Sequence, residues 1–253
     1  MREPTRVELK MRRRKRFFRL ILLTTVLSMS FLFMLKSPFF NIEDYKVEGN
    51  YKLDKEDIIN ASSIRKGENI FKINKSISEK TISKLPYIKN VEIKRKFPRT
   101  VVFNVEERVG VLQTRSISTM LLVDIEGFVL EQMDVVDENL PNITGFDLSN
   151  IVIGDNIFLE SNKAEIIDFI VHSNEAKLLN KSSQIHMSEL DNINIKLISG
   201  ISVAFGTLDN VKYKLSLLNE ILVDIEDKQI PCKMIIMNKG DNPILVIDDK
   251  SEG

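Results

Sequence analysis

The sequence predicts an α+β protein: an N-terminal transmembrane helix, a β-α-α-β-β module, then a mixed β-rich domain with helices packed on a sheet. Three observations carry this expectation. A basic run, Arg12, Arg13, Arg14, Lys15 and Arg16, leads directly into an apolar segment from Phe17 to Leu35 that holds a single charge, Arg19. Residues 39–108 place two short helical patterns between strand patterns, and residues 109–249 mix strand runs with two longer helical stretches. The expected organisation is a basic tail over 1–16, a span over 17–35, the two folded blocks, and a short tail over 250–253.

The apolar segment comes first in the chain. Its 19 residues, as a helix, extend about 28 Å, close to the roughly 30 Å of hydrocarbon in a bilayer. Backbone groups there find no water, so a helix is the conformation that satisfies them. The basic flank orients the span with its N-terminus in the cytoplasm, and Arg19 reaches back to the headgroups along its own aliphatic stem. A cleaved signal peptide shares the basic-then-apolar order but needs a small-residue cleavage site. This run instead exits through Met34, Leu35, Lys36, Ser37, Pro38, Phe39 and Phe40. A twin-arginine export signal is a weaker reading of the same block, and a buried core helix fails for want of a polar face.

Charge divides at the same place. The whole chain balances 36 basic against 36 acidic residues, but the first 19 residues hold nine basic and two acidic. The remainder therefore carries 27 basic against 34 acidic residues, a mildly acidic balance that argues against nucleic acid as its partner. The tail suits anionic lipid headgroups. Cys232 is the single cysteine, so no intrachain disulfide can form and stability must come from hydrophobic cores.

In the first block, Ile42 to Val47 reads as a strand ended by the turn pair Gly49-Asn50. Asp54 to Ala61 reads as a helix capped by Asp54. A second helix is expected from Ser76, with Glu79 completing a capping box, Ile77, Ile82 and Leu85 on its buried face, and Pro86 ending it. Strands follow at Ile88 to Lys94, with Val91 and Ile93 on one face, and at Thr100 to Glu106, where Val101, Phe103 and Val105 alternate. A basic turn, Lys94 to Arg99, joins them.

In the second block, Met120 to Val123 and Phe128 to Met133 flank Asp124-Ile125-Glu126-Gly127 as a hairpin. Leu140 to Gly145 reads as a turn or edge crossing. Asn162 to Leu179 has helical periodicity in Ile166, Ile167, Ile170 and Val171. Strand runs at Ile193 to Ile198 and Ile201 to Phe205 meet at Gly200. Asp209 to Val223 is the clearest helix, with Val211, Leu215, Leu218 and Leu222 in 4-3-4 spacing. Met234 to Met237 and Ile244 to Ile247 then form a terminal hairpin around residues 238–243.

The β-α-α-β-β order, with Ile42-x-x-Tyr45-x-Val47-x-Gly49-Asn50, Leu85-Pro86-Tyr87-Ile88-x-x-Val91 and Phe97-Pro98-Arg99-Thr100, resembles a POTRA domain. Glu106-Glu107-Arg108 after the alternating strand agrees with this. A POTRA domain directly after one N-terminal anchor resembles the FtsQ/DivIB family of bacterial cell-division proteins. The Leu-Pro-x-Ile-x-Gly segment, Phe205-Gly206, and Lys214, Leu215 and Leu218 fall in the family's order, although Met234 to Met237 alternates less cleanly than the family's strand there. The resemblance implies a bitopic protein enriched at the division septum, with its C-terminal domain outside the membrane. It also implies partners of the DivIC/FtsB and FtsL types and a link to the septal peptidoglycan synthesis machinery.

Chemistry at the side-chain level points away from catalysis and towards binding. His172 and His186 stand fourteen residues apart with no flanking carboxylates expected at ligand spacing, and Cys232 has no partner motif. Asp134, Asp137 and Glu138, and Asp248 and Asp249, read as solvated surface. No nucleophile elbow or phosphate loop is present in the sequence, so no cofactor or metal is expected. A terminal hairpin adds a strand at a sheet edge, where a partner's extended segment can pair. The partner-binding candidates are therefore Met234, Ile236, Ile244 and Val246, with the Lys94 to Arg99 turn as a second contact or a solvated loop. A membrane-anchored cell-wall hydrolase or protease of unrecognised type is the alternative from another class. An export component ahead of a membrane barrel is a third, weakened because no series of barrel strands follows.

Overall fold

In the computed structural model the described residues are 6–117, 119–158, 163–239 and 242–247. Asn162, Gly240, Asp241, Asp248, Asp249 and the expected tail over 250–253 lie outside them. The chain divides into two compact units, one of residues 1–83 and 90–106 and one of residues 84–89 and 107–253.

The first unit begins with helix α1, Arg6–Leu35. Its stretch Arg14–Leu35 is long and apolar enough to cross a membrane, and none of it is buried against the protein. The helix starts ahead of the apolar run and includes all five residues of the basic block. A 3-10 turn, Pro38–Phe40, is capped by Ser37, whose hydroxyl accepts from the Phe39 amide.

Next come β1 (Asp44–Glu48), α2 (Lys55–Ala61), α3 (Lys75–Ile82), β2 (Ile88–Lys96) and β3 (Thr100–Glu107). The sheet order is β1-β3-β2, and β1 runs parallel to β3 with Asp44 opposite Thr100. Ile42, Ile58, Ile70, Ile82, Ile93, Val101 and Phe103 are buried as its core. Gly49 ends β1 with φ +89°, and a Cβ there would overlap the Val105 carbonyl, so the turn requires glycine on both counts.

Three local expectations are corrected here. The cap of α3 is Asn74, whose side chain accepts from the Ile77 amide at 3.3 Å. Glu79 accepts instead from the Ile93 amide at 2.8 Å, tying α3 to β2. Ile77 faces solvent rather than the core, because starting the helix at Lys75 sets its buried face by Ser78 and Ile82. Asp54 holds the N-cap position of α2 without a side-chain capping bond.

Among the described residues the second unit is built on a nine-stranded sheet. Its strands are β4 (Gly110–Arg115), β5 (Met120–Asp124), β6 (Val129–Met133), β7 (Asn142–Thr144), β8 (Ser182–His186), β9 (Ile193–Leu197), β10 (Ser202–Gly206), β11 (Cys232–Ile236) and β12 (Ile244–Ile247). Their order is β12-β11-β10-β9-β8-β7-β4-β5-β6. Leu140 to Gly145, expected as a turn, contains β7, a short strand parallel to both β4 and β8 in the middle of the sheet.

Helix α4 (Lys163–Glu175) connects the parallel pair β7 and β8, and α5 (Val211–Asp227) connects the parallel pair β10 and β11. Parallel neighbours need such crossovers. Ile166, Phe169 and Ile170 of α4 join Val211, Leu215, Leu218, Leu222 and Ile225 of α5 in one core. Phe169 meets Phe205 of β10 edge-on, with centroids 5.2 Å apart. Alternation follows from this one-sided cover. In β9, Ile193, Ile195 and Leu197 are buried while Asn194 and Lys196 are exposed.

Candidate functional site

The crossover α5 delivers the chain to β11, and the final hairpin leaves β12 at the end of the sheet order. β11 and β12 pair antiparallel, with Met234 opposite Val246, Ile235 opposite Leu245 and Ile236 opposite Ile244. The four candidates Met234, Ile236, Ile244 and Val246 thus form two facing pairs on one side of the hairpin. Ile235 points the other way and is buried in the core. Strand β12 itself is apolar and open along its whole length, with Ile244, Leu245, Val246 and Ile247 between 38% and 53% exposed. Among the described residues its ladder partner is β11 alone, so its outer row of backbone donors and acceptors is available for pairing.

The hairpin is positioned from behind. Met237 donates its amide to the Ala204 carbonyl at 2.9 Å just beyond β11. Lys214, from the first turn of α5, donates to the Thr207 carbonyl and hydroxyl, each at 2.9 Å, and lies 5.5 Å above the Phe205 ring. Burial pulls the Lys214 ammonium down from its ordinary value against the opposing charge of Asp209. Cys232 opens β11 with its thiol directed at the Met234 carbonyl at 3.5 Å, and burial pushes the thiol up, which disfavours a reactive thiolate.

At the other end of the sheet lies an ion cluster that no sequence motif marks as a site. Arg108 donates to Asp124 at 2.5 Å and to Glu126 at 2.8 Å, and its guanidinium lies 3.8 Å over the Phe128 ring. Lys89 reaches the second Glu126 oxygen at 3.2 Å. Asp124 also accepts from the amides of Glu126 and Phe128, which holds the β5–β6 turn in shape. The hydrogen bond from Arg108 holds the Glu126 carboxyl below its ordinary value, against the opposing effect of burial and with Lys89 adding to the shift. Tyr87, nearby in the chain, is pushed up by burial and then by Glu131. This constellation is structural: its carboxylates are bound to cations and amides.

The remaining sequence candidates are dispersed. His172 does have flanking carboxylates, contrary to expectation: on α4, Asp168 meets Nε2 at 3.1 Å and Glu175 meets Nδ1 at 2.8 Å. Both ring nitrogens are taken by side chains from opposite turns, a bracing arrangement. His186 lies on β8 between the hydroxyls of Thr144 and Ser188, each at 2.9 Å. An open groove of about 450 Å³ between α5 and the β9–β10 turn is lined by Leu197, Ile198, Ile201, Leu222 and Ile225, with Lys181 and Glu226 at its rim.

The basic turn is shorter than expected, since β2 takes Lys94 to Lys96 and leaves Phe97-Pro98-Arg99. Arg99 is ion-paired with Glu43 and Lys94 with Glu92. Arg14, Lys15 and Arg16 are exposed along α1, and Arg12 and Arg13 lie in the same helix.

Among the described residues, one long apolar helix, a β-α-α-β-β unit after it and a sheet ending on an open strand define an anchored, POTRA-bearing protein. Residues 40–108 match the POTRA domain, FtsQ-type. The cell division protein DivIB of Clostridium botulinum strain Hall is 31% identical over 94% of this chain and 94% of its own length. DivIB of Clostridium acetobutylicum is 33% identical over 72% of this chain and 73% of its own. A solved structure, the major extracytoplasmic domain of the trans isomer of DivIB from Geobacillus stearothermophilus, aligns with 48% of this chain and 97% of its own at 18% identity and a TM-score of 0.34. The chain belongs to the DivIB/FtsQ family of cell-division proteins. Its family gives it a role in cell division, and its Arg14–Leu35 helix is long and apolar enough to anchor it in a membrane.

Proposed function

We propose that this chain is a non-enzymatic connector of the division machinery. Its N-terminus lies in the cytoplasm, held there by Arg12 to Arg16. A span over 17–35 leads to a POTRA domain over 39–108 and a partner-binding domain over 109–249, enriched at the septum. Strand β12 receives an extended segment of a bitopic partner of the DivIC/FtsB or FtsL type, and so links those partners to septal peptidoglycan synthesis. The observation that carries this reading is an edge strand whose four residues are all apolar and all exposed, a combination that native sheets ordinarily avoid.

Magnitudes shape the mechanism. A four-residue strand is about 13 Å long. At roughly 0.5–1.5 kcal/mol net per hydrogen bond, about four bonds along its outer row give about 2–6 kcal/mol. That corresponds to dissociation constants from about tens of millimolar to tens of micromolar, given about 4 kcal/mol at 1 mM. Side chains must add the rest. The pairs Met234–Val246 and Ile236–Ile244 offer an apolar stripe whose burial contributes about 25 cal/mol per Å². Anchoring both proteins in one membrane raises their effective concentration further.

The test is co-purification of DivIC/FtsB-type and FtsL-type proteins with the full chain tagged at its N-terminus. Removing residues 234–253 abolishes capture while the POTRA domain stays folded; undiminished capture overturns the interface. Peptidoglycan cleavage by the purified chain would overturn the non-enzymatic assignment.

A further inference from the structure

Four phenylalanine rings form a continuous chain just beyond the end of α1. Phe39 meets Phe40 edge-on at 5.1 Å, Phe40 meets Phe71 at 5.1 Å, and Phe71 stacks on Phe97 at 5.1 Å with planes 28° apart. They come from three separate segments: the 3-10 turn after α1, the loop before α3, and the β2–β3 turn. A buried cluster assembled from three segments would be ordinary core. This one is not buried, since Phe39, Phe71 and Phe97 are 54%, 38% and 56% exposed. Isolated exposed apolar side chains need no explanation, whereas a contiguous aromatic patch marks a contact surface.

The construction of the patch ties it to the end of the span. Asn69, itself buried, donates to the carbonyl of Leu35, the last residue of α1, at 2.9 Å. The same side chain accepts from the Phe71 amide at 3.0 Å. Ile70 donates its amide to the Phe40 carbonyl at 2.9 Å, and Arg99 donates to the Phe39 carbonyl at 3.0 Å. All three ring-bearing segments are therefore fastened to the turn that follows α1. Phe39 is four residues past Leu35, about 14 Å if fully extended. Turn hydrogen bonds from Lys36 to Phe33, Ser37 to Met34 and Phe40 to Ser37 keep the step shorter.

Charge fits the same location. Lys36, Lys72 and Lys96 are exposed next to these segments, and the Arg99 guanidinium sits 5.5 Å over the Phe39 ring. Of the nearby acids, Glu43 is paired with Arg99, and Glu68 is half-buried. Phenylalanine has no polar tip of its own, so at a membrane surface the neighbouring cations must supply the contact with headgroups.

We propose that this aromatic and basic face rests in the outer headgroup region of the bilayer that α1 crosses, with a lipid surface as its occupant. The span and the patch then form one continuous membrane contact, which fixes the POTRA unit against the bilayer instead of leaving it on a loose stalk. Aromatic belts flanked by cations at the end of a span follow the same physics.

The sequence contains no tryptophan, so Phe97→Trp creates a single fluorescent reporter in the full chain. The protein is reconstituted into phosphatidylcholine vesicles with and without phosphatidylglycerol, using lipids brominated high on the acyl chain as quenchers. Tyr51→Trp, at a fully exposed position of the same unit, is the reference. The expected result is a blue-shifted emission for Phe97→Trp, quenched several-fold more than the reference and further with the anionic lipid. Phe71→Trp reports the same from a second segment should the first variant fold poorly. Water-like emission and reference-level quenching from both reporters would overturn the proposal and assign the face to a protein partner.

Discussion

At one end of the nine-stranded sheet formed by the described residues, the start of β6 at Val129 is overlaid by the loop that follows β7. Val129 donates to the Asp155 carbonyl at 2.9 Å, Gly154 donates back to Val129 at 2.8 Å, and Ile157 donates to Gly127 at 2.8 Å. Asn156 holds that loop in place through the Glu126 carbonyl at 2.8 Å and the Phe158 amide at 2.9 Å. At the other end, β12 has no such cover among the described residues and presents four exposed apolar side chains. Covering an edge is a common protection against unwanted pairing. A chain that braces the start of one edge strand with a loop and leaves the other edge open and apolar distinguishes a structural boundary from a docking boundary.

The largest expected effect tests the closed end. Arg108→Met leaves the buried Asp124 carboxylate without its cation. It should destabilise the second unit by about 3 kcal/mol, at the low end for an orphaned buried charge, because Asp124 keeps two backbone donors. Thermal unfolding of that unit measures it, and partner capture at permissive temperature should survive.

At the open end, Ile244→Lys combined with Val246→Lys should weaken capture at least about tenfold, or 1.4 kcal/mol. The same change should leave stability within about 0.5 kcal/mol, as for surface positions generally. Gln132→Lys on β6 should leave capture unchanged, and equal losses from both edges would erase the distinction.

Asn156→Ala should cost about 1 kcal/mol and expose the Val129 amide to exchange without affecting capture.

The smallest effect is in acid. Glu126 has a folded-state pKa below its ordinary 4.5, so its stabilising contribution is present above that value and is lost as pH falls through the folded-state value. The stability difference between the parent and Glu126→Gln should therefore shrink below pH 4.5 in acid unfolding curves.

The contrast between the two edges was only partly legible in the sequence. The β5–β6 hairpin and helix α5 announce themselves through Asp124 to Gly127 and the 4-3-4 leucine spacing, because both patterns are local. Strand β7 does not: it is three residues long, follows Pro141 and precedes Gly145, so turn chemistry masks it. Strand β8, Ser-Ser-Gln-Ile-His, carries one apolar residue and is held by its neighbours on both sides. The loop at the start of β6 depends on backbone bonds between residues 25 to 30 apart, which leave no periodic trace. At β12, alternation selected Ile244 and Val246, yet Leu245 and Ile247 are equally open. Alternation assumes that one face of a strand is covered, and in β12 residues on both faces are exposed.

Amide hydrogen exchange in the full chain, with and without DivIC/FtsB-type and FtsL-type partners bound, tests the docking edge most directly. Strand augmentation predicts that residues 244–247 gain strong protection in the complex while residues 129–133 do not change. Unaltered exchange at 244–247 in a saturated complex would contradict it.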